Sequence, residues 1–386
     1  MSDSLLASIV ISSYNYGRFL RRAIDSALSQ TYPNTEVIVA DDCSTDDSRE
    51  IILSYGDRVI PMLREKNEGG DANYNEACRM SRGQVIFILD SDDMLCPTVV
   101  ERAMPHFHDS DVVKVHWPLW EINVNGRKTG RVVPCPVLPE GRLREAVARN
   151  GPFNYPSPST SGNAYARGFL EDTLPLPRGV YGDSYVCAWA SASGTIRRLP
   201  EPQGFYRIHS RNTYAKTTFD QRLKHDMTHL NICCTELSEY YCEHGMKVDT
   251  EVWKKNSWHW RVHRSVEEIQ EIIPPEDTFI LADEDNWGTH GSVAGHRALP
   301  FPELDGYYGG HPPDDETALR EFERLRQLGA SFIVFAWPAF WWLDHYAGLR
   351  QHLRGAFPCV RENDRLIAFD LRTEGRVGGE KRGSND

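Results

Sequence analysis

Three carboxylates within four residues are the strongest chemical signal in this sequence. Asp90, Asp92 and Asp93 follow the apolar run 85–89 directly, with Ser91 between the first two. Neighbouring carboxylates repel one another unless a cation lies among them. Hard cations such as Mg²⁺ or Mn²⁺ prefer oxygen ligands and are usually shared with substrate phosphates. The pattern favours a metal site, although Asp92 or Asp93 as the N-cap of a helix starting near Pro97 is an open alternative.

A second acidic pair, Asp41 and Asp42, ends the apolar run 36–40. A carboxylate at the end of a strand can accept hydrogen bonds from a nucleobase or a ribose. The residues that follow, Ser44, Thr45 and Asp46, suit the start of a helix. Ligand binding and helix capping can therefore both occur in this segment.

An alternating pattern of strands and helices places these polar residues. Apolar runs predict four strands, at 8–12, 36–40, 59–63 and 85–89, and helices are predicted between them, at 19–29, 44–54 and 71–80. This order is typical of an α/β fold with a doubly wound, mostly parallel sheet, in which ligands bind at the carboxyl ends of the strands. The polar segments 13–15 and 67–70 are then expected to lie at the same edge of the sheet as the two acidic clusters.

A chain of 386 residues is too long to fold around one ordinary hydrophobic core, which predicts two domains. We predict a first domain over 1–215, with a donor half to about residue 110 and an acceptor half from about 111. A helical connector is predicted over 216–275, a second, smaller α/β domain over 276–373, and a disordered tail over 374–386.

The composition restricts the partners and the compartment. The formal charge of −12 argues against a nucleic-acid polymer as partner. No apolar run approaches the roughly 20 residues that span a bilayer, and residues 1–6 lack the basic region of a signal peptide. Nine cysteines without CxxC spacing indicate reduced thiols. We therefore expect a cytoplasmic protein without a transmembrane segment; peripheral contact with the inner face of the membrane is left open.

The motifs, in this order and at these separations, resemble the family 2 glycosyltransferases. The resemblance is strong over about residues 7 to 96 and looser to about 212, and it rests on the segments 9–16, 29–31, 37–46, 67–69 with Asn75 and Gly83, and 87–93. It implies a GT-A fold, a nucleotide-sugar donor with UDP favoured, inversion at the anomeric carbon, and Mn²⁺ or Mg²⁺ as cofactor.

The resemblance also implies roles for individual residues. Donor binding is expected from six residues in these motifs: Ser13, Tyr14, Asp42, Asn67, Asp90 and Ser91. Asp92 and Asp93 are expected to hold the metal. Many members have Ala-Arg-Asn where this chain has Asn73-Tyr74-Asn75, so an arginine that could help to hold the donor is absent.

Asp183 is the predicted general base. It lies in Tyr181-Gly182-Asp183-Ser184, where the family usually has Glu-Asp. An inverting transfer needs one carboxylate to take the proton of the acceptor hydroxyl. The alternative is that Asp183 caps a helix over 184–193.

The segment 206–212 resembles one that closes over the donor diphosphate in many members. His209 is a predicted further metal ligand, and Arg207 and Arg211 are predicted to offset the charge of the leaving group. Gly162, Asn163 and Trp189 are predicted to line the acceptor or sugar pocket.

The last hundred residues are less informative. The aromatic run 335–346 is typical of a core or an interface, and its alternative is a platform for a sugar or a lipid. Asp283, Glu284, Asp285 and His290 could hold a metal or form a solvated loop. No GxGxxG follows the predicted strand 278–282, so dinucleotide binding has little support.

The leading hypothesis is therefore an inverting glycosyltransferase whose acceptor is a saccharide, a lipid-linked sugar or a small molecule. A sugar nucleotidyltransferase is one rival, but it carries a glycine-rich loop with Arg and Lys after the first strand, which the segment 12–18 does not resemble. The other rival is a non-catalytic nucleotide- or sugar-binding module, which donor turnover would exclude.

Overall fold

The computed structural model describes residues 4–135, 137–209 and 217–372. These residues form two compact units. The first contains 4–209 and 228–257, and the second contains 217–227 and 258–372. The segment predicted as a helical connector is thus divided between the units.

The first unit contains most of the strands. They are β1 (Ala7–Ser13), β2 (Thr35–Asp41), β3 (Ile60–Leu63), β4 (Val85–Asp90), β5 (Met94–Leu95), β6 (Val112–His116), β7 (Leu119–Ile122), β8 (Lys128–Val133), β9 (Gly141–Arg142), β10 (Asn163–Ala166), β11 (Thr195–Arg198) and β12 (Gly204–Arg207). Its helices are α1 (Gly17–Leu28), α2 (Ser48–Leu53), α3 (Gly70–Met80), α4 (Val99–Ala103), α5 (Arg144–Asn150), α6 (Arg167–Thr173), α7 (Gly182–Ser193), α8 (Phe219–Glu243), which has residues in both units, and α9 (Thr250–Asn256).

An eight-stranded sheet organises this unit, in the order β3-β2-β1-β4-β10-β6-β11-β9. The first four strands are parallel, and β10 runs antiparallel between β4 and β6. β1 is buried on both faces, which explains its continuous apolar sequence. Apolar clusters cover both faces of the sheet, and α1 contributes four buried apolar side chains to one of them: Leu20, Ala23, Ile24 and Ala27.

The register brings three strand ends together. Ser13 of β1 lies beside Asp41 of β2, and Ser12 of β1 lies beside Asp90 of β4. A second sheet, in the order β5-β12-β7-β8, pairs β12 with the short strand β5 that follows the acidic cluster. The residues after β12 are thereby brought next to that cluster.

The second unit is a smaller α/β unit, as the sequence predicts. Its elements are α10 (Trp258–Ile272), β13 (Thr278–Ala282), β14 (Ser292–Val293), β15 (His296–Pro300), β16 (Glu303–Leu304), β17 (Tyr307–Tyr308), α11 (Asp315–Gln327), β18 (Ala330–Ala336), α12 (Trp341–His345), α13 (Ala347–Ala356), β19 (Cys359–Glu362) and β20 (Leu366–Asp370). Its main sheet has the order β14-β15-β13-β18-β20-β19, with β13 parallel to both β15 and β18.

Two predicted helices differ in the structure. The helix expected from 44 begins only at Ser48, because Asn15 Oδ1 accepts from Thr45 N at 2.7 Å and Asp46 accepts from Gly17 N at 2.9 Å, which holds the preceding residues in a turn. The helix expected over 340–353 is broken at Tyr346, whose ψ is 78°. Asp315 accepts from Leu349 N at 2.9 Å and so caps the second piece.

Within the described residues, no helix has both the length and the apolar composition that crossing a membrane requires. The predicted tail 374–386 lies outside the described residues.

Candidate active site

The ends of β1, β2 and β3 form the first wall of the site. Asp42, 2% exposed, accepts hydrogen bonds from Glu68 N at 3.0 Å and Gly69 N at 2.8 Å. This carboxylate therefore fixes the loop that carries Asn67, whose side chain is exposed. Ser13 is buried, and its Oγ has no hydrogen-bond partner in the described part of the chain.

The acidic cluster after β4 is held by contacts from distant parts of the chain. Asp93, 1% exposed, accepts from Ser161 Oγ at 2.7 Å and from Arg207 N at 2.8 Å. Ser161 Oγ also accepts from Asp90 N at 3.1 Å. Both oxygens of Asp93 thus serve to anchor the loop. Neither aspartate caps a helix, because α4 begins at Val99 after Thr98.

His209 lies beside Asp92. Its Nε2 is 2.8 Å from Asp92 Oδ2, and its ring stacks on Phe19 with the centroids 4.9 Å apart. The Arg207 side chain is completely buried; it donates to the carbonyl oxygen of Asp92 at 2.7 Å and, from Nη1, to that of Asn123 at 3.2 Å. The structure therefore uses Arg207 to hold the acidic loop, whereas the sequence suggests a contact with the leaving group. Arg211 lies outside the described residues.

The local electrostatics disfavour several negative charges in the cluster. Burial raises the pKa of Asp90 to about 7, and the charges of Asp92 and Asp183 act in the same direction. Burial, with Asp92 and Asp90, also raises the pKa of Asp93 well above its usual range. A cation among these groups would relieve the repulsion.

Asp183 reaches the cluster from α7. It lies inside the first turn of that helix, after the N-cap position of Tyr181, so it is not the predicted cap. Its side chain is exposed, yet the protein atoms around it partly desolvate the carboxyl and raise its pKa. Thr160 Oγ1 lies 3.4 Å from Asp183 Oδ2, and the same hydroxyl also lowers the pKa of Asp90 by hydrogen bonding. One threonine therefore lies between the two carboxylates.

The turn before β10 positions that threonine. Asn163 is fully buried and donates to the carbonyl oxygens of Ser159 at 2.9 Å and Thr160 at 3.2 Å. A Cβ on Gly162 would lie 2.8 Å from the carbonyl oxygen of Trp117, so the close approach requires glycine. The sequence indicates Gly162 and Asn163 as site residues but not Thr160. Thr160 lies in a proline-rich segment, where nothing in the local sequence distinguishes it from its neighbours.

The other predicted residues lie in different environments. Ser91 is buried, and Tyr14 is 45% exposed at the end of β1. Trp189 is half-buried and packs against Tyr185 and Tyr240, with ring centroids 6.2 and 5.4 Å apart. A pocket of about 580 Å³, which the sequence does not indicate, opens beside His209; its lining consists of Asn15, Tyr16, Arg18, Phe19, Asn123, Val124, Ile208 and His209.

Comparison with known proteins places this site in a family. The sequence model for glycosyl transferase family 2 matches residues 8–173. An uncharacterised glycosyltransferase of Nostoc sp. is 33% identical over 228 residues, which cover 56% of this chain and 70% of that protein. The UDP-Glc:alpha-D-GlcNAc-diphosphoundecaprenol beta-1,3-glucosyltransferase of Escherichia coli is 38% identical over 109 residues, which cover 28% of this chain and 43% of that protein.

A solved structure supports the same fold. Residues 1–349 of S. aureus TarS, in complex with UDP-GlcNAc, superpose with a TM-score of 0.51 at 17% identity. The match covers 70% of this chain and 76% of that one. At this identity the likeness concerns the fold.

Proposed function

The chain belongs to glycosyl transferase family 2, and we propose that it transfers a sugar from a nucleoside-diphosphate sugar to a hydroxyl group of an acceptor, with inversion at the anomeric carbon. UDP is the favoured nucleotide, and Mn²⁺ or Mg²⁺ the favoured cofactor. One observation carries the proposal: Thr160 lies between Asp183 and Asp90, two carboxylates from different elements, with its Oγ1 3.4 Å from Asp183 Oδ2 and hydrogen-bonded to Asp90. This arrangement supports a base beside the carboxyl end of β4, next to the ends of β1, β2 and β3 at which we propose the donor.

Asp183 acts as the general base. Its carboxylate accepts the proton of the acceptor hydroxyl while the oxygen of that hydroxyl bonds to the anomeric carbon. The bond from this carbon to the diphosphate breaks on the opposite face, which inverts the configuration. The raised pKa of Asp183 suits the role, because a base is most effective when its pKa approaches the working pH.

The side chains of Asp92 and His209 fit a divalent cation. A carboxylate oxygen and an imidazole nitrogen lie 2.8 Å apart, beside Asp90 and Asp93, whose pKa values are raised by burial and further by mutual repulsion. The described residues contain no group of three or more His, Cys, Asp or Glu side chains arranged as a complete metal site. Mg²⁺ and Mn²⁺ sites commonly take their remaining ligands from phosphates and water. When bound, such a cation neutralises charge on the departing diphosphate.

Two predicted roles change in this proposal. Asp93 has both oxygens engaged by Ser161 and Arg207, so we assign it, with Arg207, to support of the loop and not to the cation. Trp189 is left out of the acceptor pocket because it packs with Tyr185 and Tyr240.

The donor would lie along the ends of β1, β2 and β3. Ser13, Tyr14, Asp42 and Asn67 are the residues available there for the base and ribose. The unpartnered Oγ of Ser13 supports this location, because a buried polar atom gains from a ligand that satisfies it. The preference for UDP rests on the Escherichia coli relative, whose name gives a UDP-sugar as donor.

The first experiment is calorimetric titration of UDP, GDP and dTDP into the full chain, with Mn²⁺ and then with EDTA. We expect one nucleotide, UDP, to bind with Mn²⁺ and to lose affinity with EDTA. An Asp172→Asn variant, which changes an exposed carboxylate of α6, should behave like the unmodified protein. Absence of nucleotide binding under both conditions would favour the non-catalytic module.

A further inference from the structure

A cluster of aromatic rings around one carboxylate lies in the second unit. The strands β13, β15 and β18 are parallel, so their carboxyl ends share one edge of the sheet. Glu284 follows β13, and Trp341 and Trp342 follow β18. Tyr308 is the last residue of β17, in the segment that comes after β15. Ligands of open α/β sheets bind at this edge, but the proposed transfer uses only the first unit.

Glu284 is the centre of the cluster. Its Oε1 accepts from Trp341 Nε1 at 2.6 Å and from Trp342 Nε1 at 2.8 Å, and it lies 3.3 Å from His311 Nε2. Its φ of 56° is a conformation that residues other than glycine rarely adopt. The carboxylate therefore fixes two indole rings in one arrangement, at the expense of an unfavourable backbone.

The two indoles differ in exposure. Trp342 is fully buried and belongs to the core, whereas Trp341 is 40% exposed. The ring of Trp341 is nevertheless held by Glu284 and by the edge of His311, with the ring centroids 5.2 Å apart and the planes at 90°. An exposed aromatic ring that is also rigid offers a preformed contact surface.

Tyr308 supplies an independent observation. Its Oη is buried and has no hydrogen-bond partner in the described part of the chain. Its ring centroid lies 6.3 Å from that of His311, and burial, followed by the Glu284 charge, raises its pKa above the usual range. A buried hydroxyl without a partner, next to the cluster, indicates that a ligand can complete it.

We propose that this aromatic cluster, formed by Trp341, Trp342, His311, Tyr308 and Glu284, binds a neutral saccharide. The C–H face of a sugar ring packs on the exposed indole of Trp341, and its hydroxyl groups bond to Glu284 and Tyr308. Phosphate or uronate groups are excluded because Glu284 and Asp285 would repel them. This site is separate from the proposed donor site and does not depend on its activity.

The test is calorimetric titration of the full chain with maltohexaose, cellohexaose and chitohexaose, and with choline as a cationic probe. We expect at least one saccharide to bind and Trp341→Ala to weaken its binding at least tenfold, equivalent to about 1.4 kcal/mol. Trp341→Phe should keep part of the affinity because a ring remains. Binding should persist in Asp92→Ala, which separates this site from the donor site.

Trp258→Ala is the matched control. Trp258 is also in the second unit and is 42% exposed, but its ring contacts Trp337 and not the cluster. It should retain full saccharide affinity. Equal unfolding temperatures for the variants would show that Trp341→Ala is folded. Three results would each overturn the proposal: no binding of any saccharide, binding unchanged by Trp341→Ala, or binding of choline alone.

Discussion

Replacing Asp183 with Asn tests the proposed base with little structural disturbance. Asp183 Oδ1 accepts from Ser184 N at 2.7 Å, and Asp183 Oδ2 lies 3.4 Å from Thr160 Oγ1. An asparagine keeps the first acceptor, and its Nδ2 can donate to the threonine hydroxyl in place of the second. A negative charge in the first turn of a helix contributes about 0.3–1 kcal/mol to stability. The substitution therefore costs no more than about 1 kcal/mol in folding, and removal of the partly desolvated charge acts in the opposite direction.

The effect on transfer should be much larger. A positioned general base contributes about 10²- to 10⁴-fold to a rate, or about 3–5 kcal/mol of activation free energy. Donor affinity should not change, because the proposed donor residues lie at the ends of β1, β2 and β3. In the unmodified protein, kcat/KM should rise with pH as Asp183 loses its proton, through a pKa above the usual aspartate range. In the variant, kcat/KM should no longer rise with pH over this range.

The assay is release of UDP from a UDP-sugar in the presence of an acceptor, measured from pH 4 to 8 beside calorimetric titration of UDP. Asp172→Asn serves as the matched control for loss of one exposed carboxylate from the first unit. Full transfer by Asp183→Asn would refute the base assignment. Equal losses of donor affinity and of transfer would show instead that Asp183 helps to bind the donor.

Three further substitutions test the cation, a buried histidine and the turn before β10. Asp92→Ala should remove the Mn²⁺-dependent part of UDP binding, so that EDTA lowers the affinity of the unmodified protein but not of the variant; an unchanged Mn²⁺ effect would contradict the assignment. Burial lowers the pKa of His116 to about 3, so the native state resists protonation and the free energy of unfolding falls as pH drops below about 6.5, by up to about 1.4 kcal/mol per pH unit. His116→Gln should reduce the pH dependence of the free energy of unfolding, measured by urea unfolding between pH 7 and 4.5. An equal pH dependence in the variant would show that other groups cause it. Gly162→Ala introduces a Cβ 2.6 Å from Pro158 Cβ and should lower both the free energy of unfolding, by about 1–3 kcal/mol, and the transfer rate. Calorimetric melting measures the first effect and UDP release the second. An unchanged melting temperature would show that the turn accommodates the added methyl group.

Much of the first unit follows from the sequence alone. The strands β1, β2 and β4 are buried on both faces, so each is a continuous apolar run that ends abruptly in polar residues. Parallel pairing then places Ser13, Asp42 and Asp90 at one edge without further information. The α/β fold and the family 2 assignment are confirmed by the structure and the comparisons.

The roles within the acidic cluster depended on contacts that local sequence does not specify. Asp92 and Asp93 are adjacent and chemically identical, yet only Asp93 is buried against Ser161 and Arg207. Arg207 lies 114 residues from Asp93 in the chain, and its position beside the loop results from the pairing of β12 with β5. The spacing of residues along the chain does not predict a contact between two such distant residues.

The second unit shows the same limit. The sequence identifies an aromatic run and, far from it, an acidic loop. It does not distinguish a binding site from a core or interface segment in the first case, or from a solvated loop in the second. Only the parallel pairing of β13 with β18 brings Glu284 within 2.6 Å of Trp341 Nε1. Periodicity and strand ends are local properties that a sequence encodes directly, whereas the partner of a buried polar group depends on how distant segments pack.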